Sequence, residues 1–115
     1  MENANFSKKM RRRIVRNFLD VLILAEMRKG PLSGYDVMNF VHDRFLFLVS
    51  SGTIYSVLYS LERNGLISGA LVQRKRVYRL TDKGKATIRE VMNANDETRY
   101  LVSGLLKLKK EPPDR

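Results

Sequence analysis

The stretch SGTIYSVLYSLERNGLISGALVQRKRVYRLT, residues 51–81, decides the fold. Its first part predicts a helix over 52–64, because apolar side chains recur at helical spacing until an Asn-Gly pair ends the pattern. These apolar residues are Ile54, Val57, Leu58 and Leu61. Its second part predicts two strands, 66–72 and 76–80, around a polar tip. The stretch therefore predicts a helix followed directly by a β-hairpin.

Two further helices are predicted before this stretch. The first begins near Ser7 and ends at Lys29-Gly30-Pro31, because glycine caps a helix and proline cannot continue it. The next starts at Ser33, whose hydroxyl can cap it while Asp36, three residues on, reaches back to the cap. It should end near Phe45. Two short helices with a tight connector and a following hairpin make a winged helix-turn-helix.

The rest of the chain is predicted to be one long helix and two tails. The helix runs over 83–110 after a cap at Thr81-Asp82, and its polar middle predicts a bend. Residues 1–6 and 111–115 are predicted to be disordered. We therefore expect a mainly α protein with a small β-hairpin, in which a winged helix-turn-helix domain at 7–82 precedes a long C-terminal dimerisation helix.

Composition narrows the possible functions. The 115 residues include 22 Lys and Arg against 12 Asp and Glu, a formal charge of +10, which favours nucleic acid, an anionic membrane or an acidic partner. There is no cysteine, which excludes disulfides and thiolate metal sites. The one histidine, His42, makes a zinc site or a His-based triad hard to build. We predict no enzyme activity and no cofactor.

The sequence also predicts a cytoplasmic protein. No apolar run approaches the roughly 18 residues that a membrane span needs. The basic N-terminal segment is not followed by an apolar stretch with a cleavage site, so no signal peptide is predicted. The absence of cysteine fits a reducing compartment.

The positive charge is concentrated in two segments. Residues 7–16 carry six positive side chains and no acid, and residues 74–89 carry seven against one acid. The predicted helix between them is nearly neutral. Two basic segments that bind the phosphate backbone, on either side of a polar helix that contacts the bases, would produce this pattern, which favours DNA. A basic amphipathic membrane helix is the alternative for 7–16, although its apolar face is wide enough to be core.

The helix 52–64 is the candidate recognition helix, since a helix fits the major groove and its N-terminal residues commonly reach base edges. Thr53 and Ser56, close to its start, favour DNA contact. Tyr59 fits a half-buried core position equally well. The wing tip at 73–76 suits a phosphate backbone, or else it is a solvated turn.

The terminal helices carry more apolar surface than one small domain covers. A symmetric homodimer is the natural way to bury it. Two recognition helices would then enter successive major grooves about 34 Å apart, on a roughly palindromic operator. The residues predicted at the dimer interface are Phe18, Leu22, Ile88, Val91, Met92, Leu101, Val102 and Leu105.

Four stretches resemble the PadR family of transcriptional regulators: GPLSGYD at 30–36, SGTIY at 51–55, LERNGLI at 61–67 and VYRLTDKG at 77–84. The resemblance implies a winged-helix DNA binder that dimerises through its C-terminal helix, with help from the first helix. It also implies a repressor released by a small hydrophobic effector. The chain departs from the family at Ser56, where proline is frequent, and has no tryptophan.

Residues and resemblance together predict a sequence-specific, double-stranded DNA-binding regulator that represses transcription as a homodimer. A nonspecific nucleic-acid architectural protein and a winged-helix protein-interaction module are the alternatives. The resemblance implies DNA contacts from Tyr35, Thr53, Tyr55 and the wing. The full predicted DNA-binding set is Ser33, Tyr35, Ser51, Thr53, Tyr55, Ser56, Tyr59, Arg63, Gln73, Arg74, Lys75, Arg76, Lys8, Lys9 and Arg12.

Overall fold

The computed structural model describes residues 2–46 and 48–107 as six helices and three strands. In chain order the elements are α1 (Glu2–Asn17), α2 (Leu19–Met27), β1 (Leu32–Ser33), α3 (Gly34–Phe45), α4 (Ser51–Arg63), β2 (Ile67–Val72), β3 (Lys75–Leu80), α5 (Asp82–Asn93) and α6 (Asn95–Lys107). The helix pair α3–α4 is followed by the hairpin β2–β3. The predicted winged helix-turn-helix is confirmed.

Hydroxyl side chains start three of the helices, because each accepts a backbone N–H that the helix itself leaves unpaired. Ser33 Oγ accepts from the Asp36 N–H at 3.1 Å, and Asp36 Oδ2 accepts from the Ser33 N–H at 2.9 Å. Ser50 Oγ accepts from the Thr53 N–H, and Thr81 Oγ1 accepts from the Gly84 N–H. The predicted caps of α3 and α5 are both present.

The wing is a tight antiparallel hairpin. Pairing runs from Ile67 opposite Leu80 to Val72 opposite Lys75. Gln73 and Arg74 form the turn, with left-handed φ angles of 50° and 70°. Two successive left-handed residues are the signature of a type I′ turn, whose twist matches that of the flanking strands. The hairpin therefore projects its charged tip on a short, well-defined turn.

A third strand was not predicted. The two residues of β1 pair with β3, Leu32 opposite Tyr78 and Ser33 opposite Val77, so that the strand order is β1-β3-β2. Two residues are too few to show the alternation that marks a strand in sequence. Through β1, the start of α3 is tied directly to the base of the wing.

The core lies where α2, α3, α4 and α5 meet the sheet. Its fully buried side chains are Leu19, Ile23, Val37, Val41, Ile54, Leu58, Ile67 and Ile88. Each of the four helices thus buries one apolar face. This packing holds the outer faces of α3 and α4 in a constant relation to the wing.

The terminal helices differ from their predicted form. The structure places residues 2–6 in α1, where a disordered tail was expected. The first predicted helix is interrupted at Phe18, although the Phe18 N–H still donates to Ile14 O at 3.1 Å. The last is interrupted at Ala94, within the polar middle that predicted a bend. The predicted tail at 111–115 lies outside the described residues.

Both terminal helices extend from the body. Among the described side chains, α1 buries only Val15 and α6 buries none. The described part of the molecule measures 66 × 34 × 21 Å, which is elongated for its size. In the single chain, α1 and α6 therefore leave apolar surface without a partner. Helices of this length gain most of their stability from packing, which this surface does not supply in the single chain.

Leu46 ends α3 in a left-handed conformation, with φ 60°, and its side chain is 78% exposed. Leucine is strained in this conformation and glycine is not. Leu46→Gly should therefore raise the free energy of unfolding by about 1 kcal/mol. Thermal unfolding measures this gain. Leu48→Gly is the matched control, because Leu48 is 79% exposed and its φ is not left-handed. A gain in the control, or none at Leu46, would contradict the strain.

Candidate nucleic-acid interface

The outer face of α4 is polar and accessible. Ser51, Tyr55 and Ser56 are exposed along its first two turns. Tyr59 is 64% exposed, which rules out the core position that the sequence had left open, and the Arg63 guanidinium lies 5.9 Å from the centre of its ring. Thr53 is half-buried, and its hydroxyl is 2.9 Å from Ser50 Oγ in the cap. This face offers hydroxyls, phenols and one cation.

Ser33 is a correction to the predicted DNA-binding set. Its side chain is only 5% exposed, and its hydroxyl already caps α3. The bond from the Ser33 N–H is the main cause that lowers the pKa of Asp36; the Ser33 hydroxyl and the Lys75 charge add to it, while burial opposes. Ser33 therefore acts as a helix cap. Its neighbour Tyr35 is exposed at the same helix start.

Tyr55 also locks α4 to α3. Its phenol lies against Gly34, and a Cβ built on Gly34 would stand 2.5 Å from Tyr55 Cζ. A side chain at 34 would therefore displace the Tyr55 ring, while the φ of Gly34 is not left-handed and does not itself require glycine. The Tyr55 ring is thus in contact with the start of α3 while half of it stays accessible.

The wing tip carries free and paired cations. Gln73, Arg74 and Lys75 are exposed, and no ion pair involving Arg74 or Lys75 occurs in the described residues. Arg76 is different: its Nη2 donates to Glu62 Oε2 at 2.6 Å, and this contact raises the pKa of Arg76. The structure therefore gives Arg76 a partner in Glu62, while 47% of its side chain stays exposed and its predicted DNA contact stays a prediction.

The basic residues of α1 lie close to α3 and α4. Lys8 and Lys9 are exposed, and Lys8 and Arg12 line a cavity with Phe45 at the end of α3. Arg16, which was not in the predicted set, lines a groove with Ser56 and Ser60 of α4. The sequence offered one signal for it, its place in the basic run 7–16.

The predicted dimer residues divide into two groups. Ile88 is 1% exposed within the core of the single chain, so it cannot contact a partner and is a correction. The others retain exposed or half-buried apolar surface: Phe18, Leu22, Val91, Met92, Leu101, Val102 and Leu105.

A cavity of about 470 Å³ lies between α2, β3 and α5. Its apolar lining comes from Met27, Pro31, Leu80, Ile88 and Met92, and its cations are Arg28, Arg79, Lys85 and Arg89. Within the described chain, none of these four cations forms an ion pair with an acid. The cavity therefore combines an apolar floor with a positive rim.

Residues 2–46 and 48–107 contain neither a cluster of metal ligands nor a membrane-spanning helix. In that part of the chain, no three histidine, cysteine or acidic residues lie close enough to hold a metal ion. Nor does any helix there have the length and hydropathy needed to cross a bilayer.

Comparison with known proteins gives one family and many structures. The model of the transcriptional regulator PadR-like family matches residues 23–90, more than half of the chain. None of the curated proteins compared with the chain matches it.

Three solved structures illustrate the similarity. A PadR family transcriptional regulator from Eggerthella lenta is 25% identical, covers 97% of this chain and 99% of its own, and has a TM-score of 0.74. A PadR-like transcriptional regulator from Bacillus cereus is 24% identical over 83% of this chain and 97% of its own, with a TM-score of 0.72. Bacillus subtilis PadR in complex with operator DNA is 25% identical over 84% of this chain and 50% of its own, with a TM-score of 0.58.

Proposed function

The chain belongs to the PadR-like family of transcriptional regulators, and on that premise we propose that it binds specific double-stranded DNA. One observation carries the proposal: α4, whose outer face is polar and exposed, is bonded through Glu62 to Arg76, next to the unpaired cations Arg74 and Lys75 of the wing tip. A helix of this width fits the major groove, while exposed cations on a narrow hairpin suit the phosphate backbone. The Bacillus subtilis relative was solved with operator DNA.

Each element has a role in this proposal. Tyr55, Ser56 and Tyr59 on α4 read base edges together with Arg63. Arg74 and Lys75 bind phosphates, as Lys8, Lys9 and Arg12 of α1 do on the flanking DNA. The remaining proposed contacts are Tyr35, Ser51, Thr53 and Gln73.

We propose that the protein acts as a homodimer. Support comes from the apolar surface that α1, α6 and the junction between α1 and α2 leave unburied, which includes Phe18 at that junction and Leu101 and Leu105 on α6. Packing these helices against a second copy would bury that surface and create a two-fold axis. A two-fold protein recognises a roughly palindromic operator with half-sites about 34 Å apart. The family resemblance implies repression, so repression is the sign of regulation that we propose.

The cavity between α2 and α5 suits the small hydrophobic effector that the family resemblance implies. Its floor is formed by core side chains such as Met27 and Ile88. A ligand bound there would contact α5 and the base of the wing at once. Its binding could therefore change how α5, which carries the predicted dimer residues Val91 and Met92, is oriented relative to the wing and α4.

Salt dependence tests DNA binding directly. After in vitro selection of an operator, raising the salt from 50 to 200 mM should weaken binding by about 1,000-fold, because a dimer with six or more phosphate contacts releases that many counterions. Fluorescence anisotropy measures the affinity. Weak or absent salt dependence would contradict the phosphate contacts of the wing and α1.

Two further measurements separate the alternatives. Equal affinity for random and selected duplexes would indicate an architectural protein, and failure to select any duplex would favour a protein-interaction module. Light scattering at micromolar concentration reports the oligomeric state. A monomer in solution and on the operator would contradict the homodimer.

A further inference from the structure

Glu62 lies on the recognition helix, yet its carboxylate is engaged by the wing. Glu62 Oε2 accepts two hydrogen bonds, from the Gly69 N–H of β2 at 3.1 Å and from Arg76 Nη2 of β3 at 2.6 Å. One carboxylate oxygen on α4 is therefore bonded to both strands of the hairpin. No other side-chain hydrogen bond from α4 to the wing occurs in the described residues.

Gly69 makes room for this arrangement. A Cβ built on Gly69 would lie 2.8 Å from Arg76 Nε and 2.9 Å from Arg76 Cζ, so any side chain at 69 would displace the guanidinium. The φ of Gly69 is not left-handed, so the backbone itself does not require glycine. Tyr78, which is paired with Gly69, also contacts the guanidinium, with its ring centre 5.6 Å from Arg76 Cζ.

The contact lies where the sheet narrows. Strand β1 pairs with β3 only as far as Ser33 opposite Val77. Beyond that point the wing is a two-stranded ribbon, and a ribbon of two strands is marginally stable by itself. Glu62 binds it on both sides of that point: at Gly69, which is opposite Tyr78 and so level with Leu32, and at Arg76, the first residue of β3 beyond the end of β1. The contact therefore holds the ribbon at the base of the segment that carries Arg74 and Lys75.

An acid near phosphates is unfavourable for DNA binding unless it does something else. We propose that Glu62 is a positioning residue that, through Gly69 and Arg76, sets the wing against the recognition helix so that both contact one duplex. This role rests on the proposed DNA binding. It explains why a carboxylate stands on a helix that meets a polyanion.

The test is Glu62→Gln, because repulsion of phosphate by Glu62 and positioning of the wing by Glu62 predict opposite changes in the affinity for the operator. If Glu62 only repels phosphate, the substitution tightens binding of the selected operator. If Glu62 positions the wing, the affinity falls about fivefold, because glutamine loses the charge-assisted bond to Arg76 and the wing cations leave their register. Glu90→Gln is the matched control: Glu90 is exposed on α5 and forms no ion pair within the described chain, so its affinity should not fall.

A double-mutant cycle separates positioning from direct contact. Arg76→Gln should weaken binding to a similar extent, and Glu62→Gln with Arg76→Gln should be no weaker than Arg76→Gln alone, because the two residues act as one unit. The slope of log affinity against log salt should fall by the same amount in all three variants, since each moves the same wing cations, Arg74 and Lys75, out of register. Additive losses, or a slope that falls further in Arg76→Gln than in Glu62→Gln, would make Arg76 a DNA contact and overturn the proposal.

Gly69→Ala gives an independent check, since its methyl group displaces Arg76 without changing any charge. It should weaken binding about as much as Glu62→Gln, with circular dichroism verifying that each variant is folded at the assay temperature. Wild-type affinity in Glu62→Gln or Gly69→Ala would overturn the positioning role while leaving DNA binding intact. Failure of the wild type to bind any selected duplex would instead remove the proposed function on which the role depends.

Discussion

Replacing Gly84 by alanine should lower the free energy of unfolding by about 3 kcal/mol or more, because the added methyl group meets backbone that cannot move aside. Gly84 is buried in the first turn of α5. A Cβ there would overlap the Leu66 carbonyl oxygen and stand 3.0 Å from Leu66 C and 3.2 Å from Leu80 Cδ2. The same carbonyl accepts the Thr81 N–H at 3.1 Å, which ties the segment before the wing to the helix after it.

Gly104→Ala is the control for this prediction. Gly104 lies in α6, and a Cβ there would meet no atom of the described chain within 4 Å. Alanine should stabilise that helix by about 0.5–1 kcal/mol. Urea unfolding at one protomer concentration compares the two variants with the wild type, since association would otherwise shift the midpoint. An unchanged midpoint for Gly84→Ala would contradict the close approach to Leu66.

The predicted features that the structure confirms are local in sequence. Ser33 and Asp36 are three residues apart, and so are Thr81 and Gly84, whose cap bonds close within one turn. The type of a capping residue and its spacing are visible without the fold. The order of helix, helix and hairpin follows from the same kind of signal, which is why the winged helix could be predicted.

The features that the sequence did not reveal depend on distant partners. Glu62 and Arg76 are 14 residues apart, and only the pairing of β2 with β3 brings them together. Strand β1 exists because Leu32 meets Tyr78, which is far along the chain. A charge such as that of Arg76 is equally consistent with a phosphate and with a carboxylate until its neighbours are known.

Apolar periodicity has a related limit. The spacing on α5 identified an apolar face at Ile88, Val91 and Met92, but spacing does not say what covers that face. The structure covers Ile88 completely within the chain and leaves Met92 partly exposed. A core position and an interface position therefore share one pattern, and only the packed fold separates them.

Charge reversal at the wing tip should have the largest effect on binding. Arg74→Glu combined with Lys75→Glu should lower the affinity for the selected operator by about 100-fold or more at moderate salt, since a dimer loses four phosphate contacts and gains four repulsive charges. The slope of log affinity against log salt should fall by about four. Both side chains are exposed and form no ion pair in the described structure, so the fold should be kept even though the Lys75 charge that helps to lower the pKa of Asp36 is lost.

Lys85→Glu combined with Arg89→Glu makes the same change in net charge at a different place. These residues lie on α5 at the rim of the cavity, near the end of the hairpin opposite the turn. Five rungs of the ladder separate that end from the tip, about 17 Å, which exceeds the Debye length of about 8 Å at physiological salt. The control should therefore lose much less affinity and keep its salt slope. Equal losses in the two double variants would mean that net charge, and not the wing, accounts for DNA binding, whereas wild-type affinity in the Arg74 and Lys75 variant would remove the wing from the interface altogether.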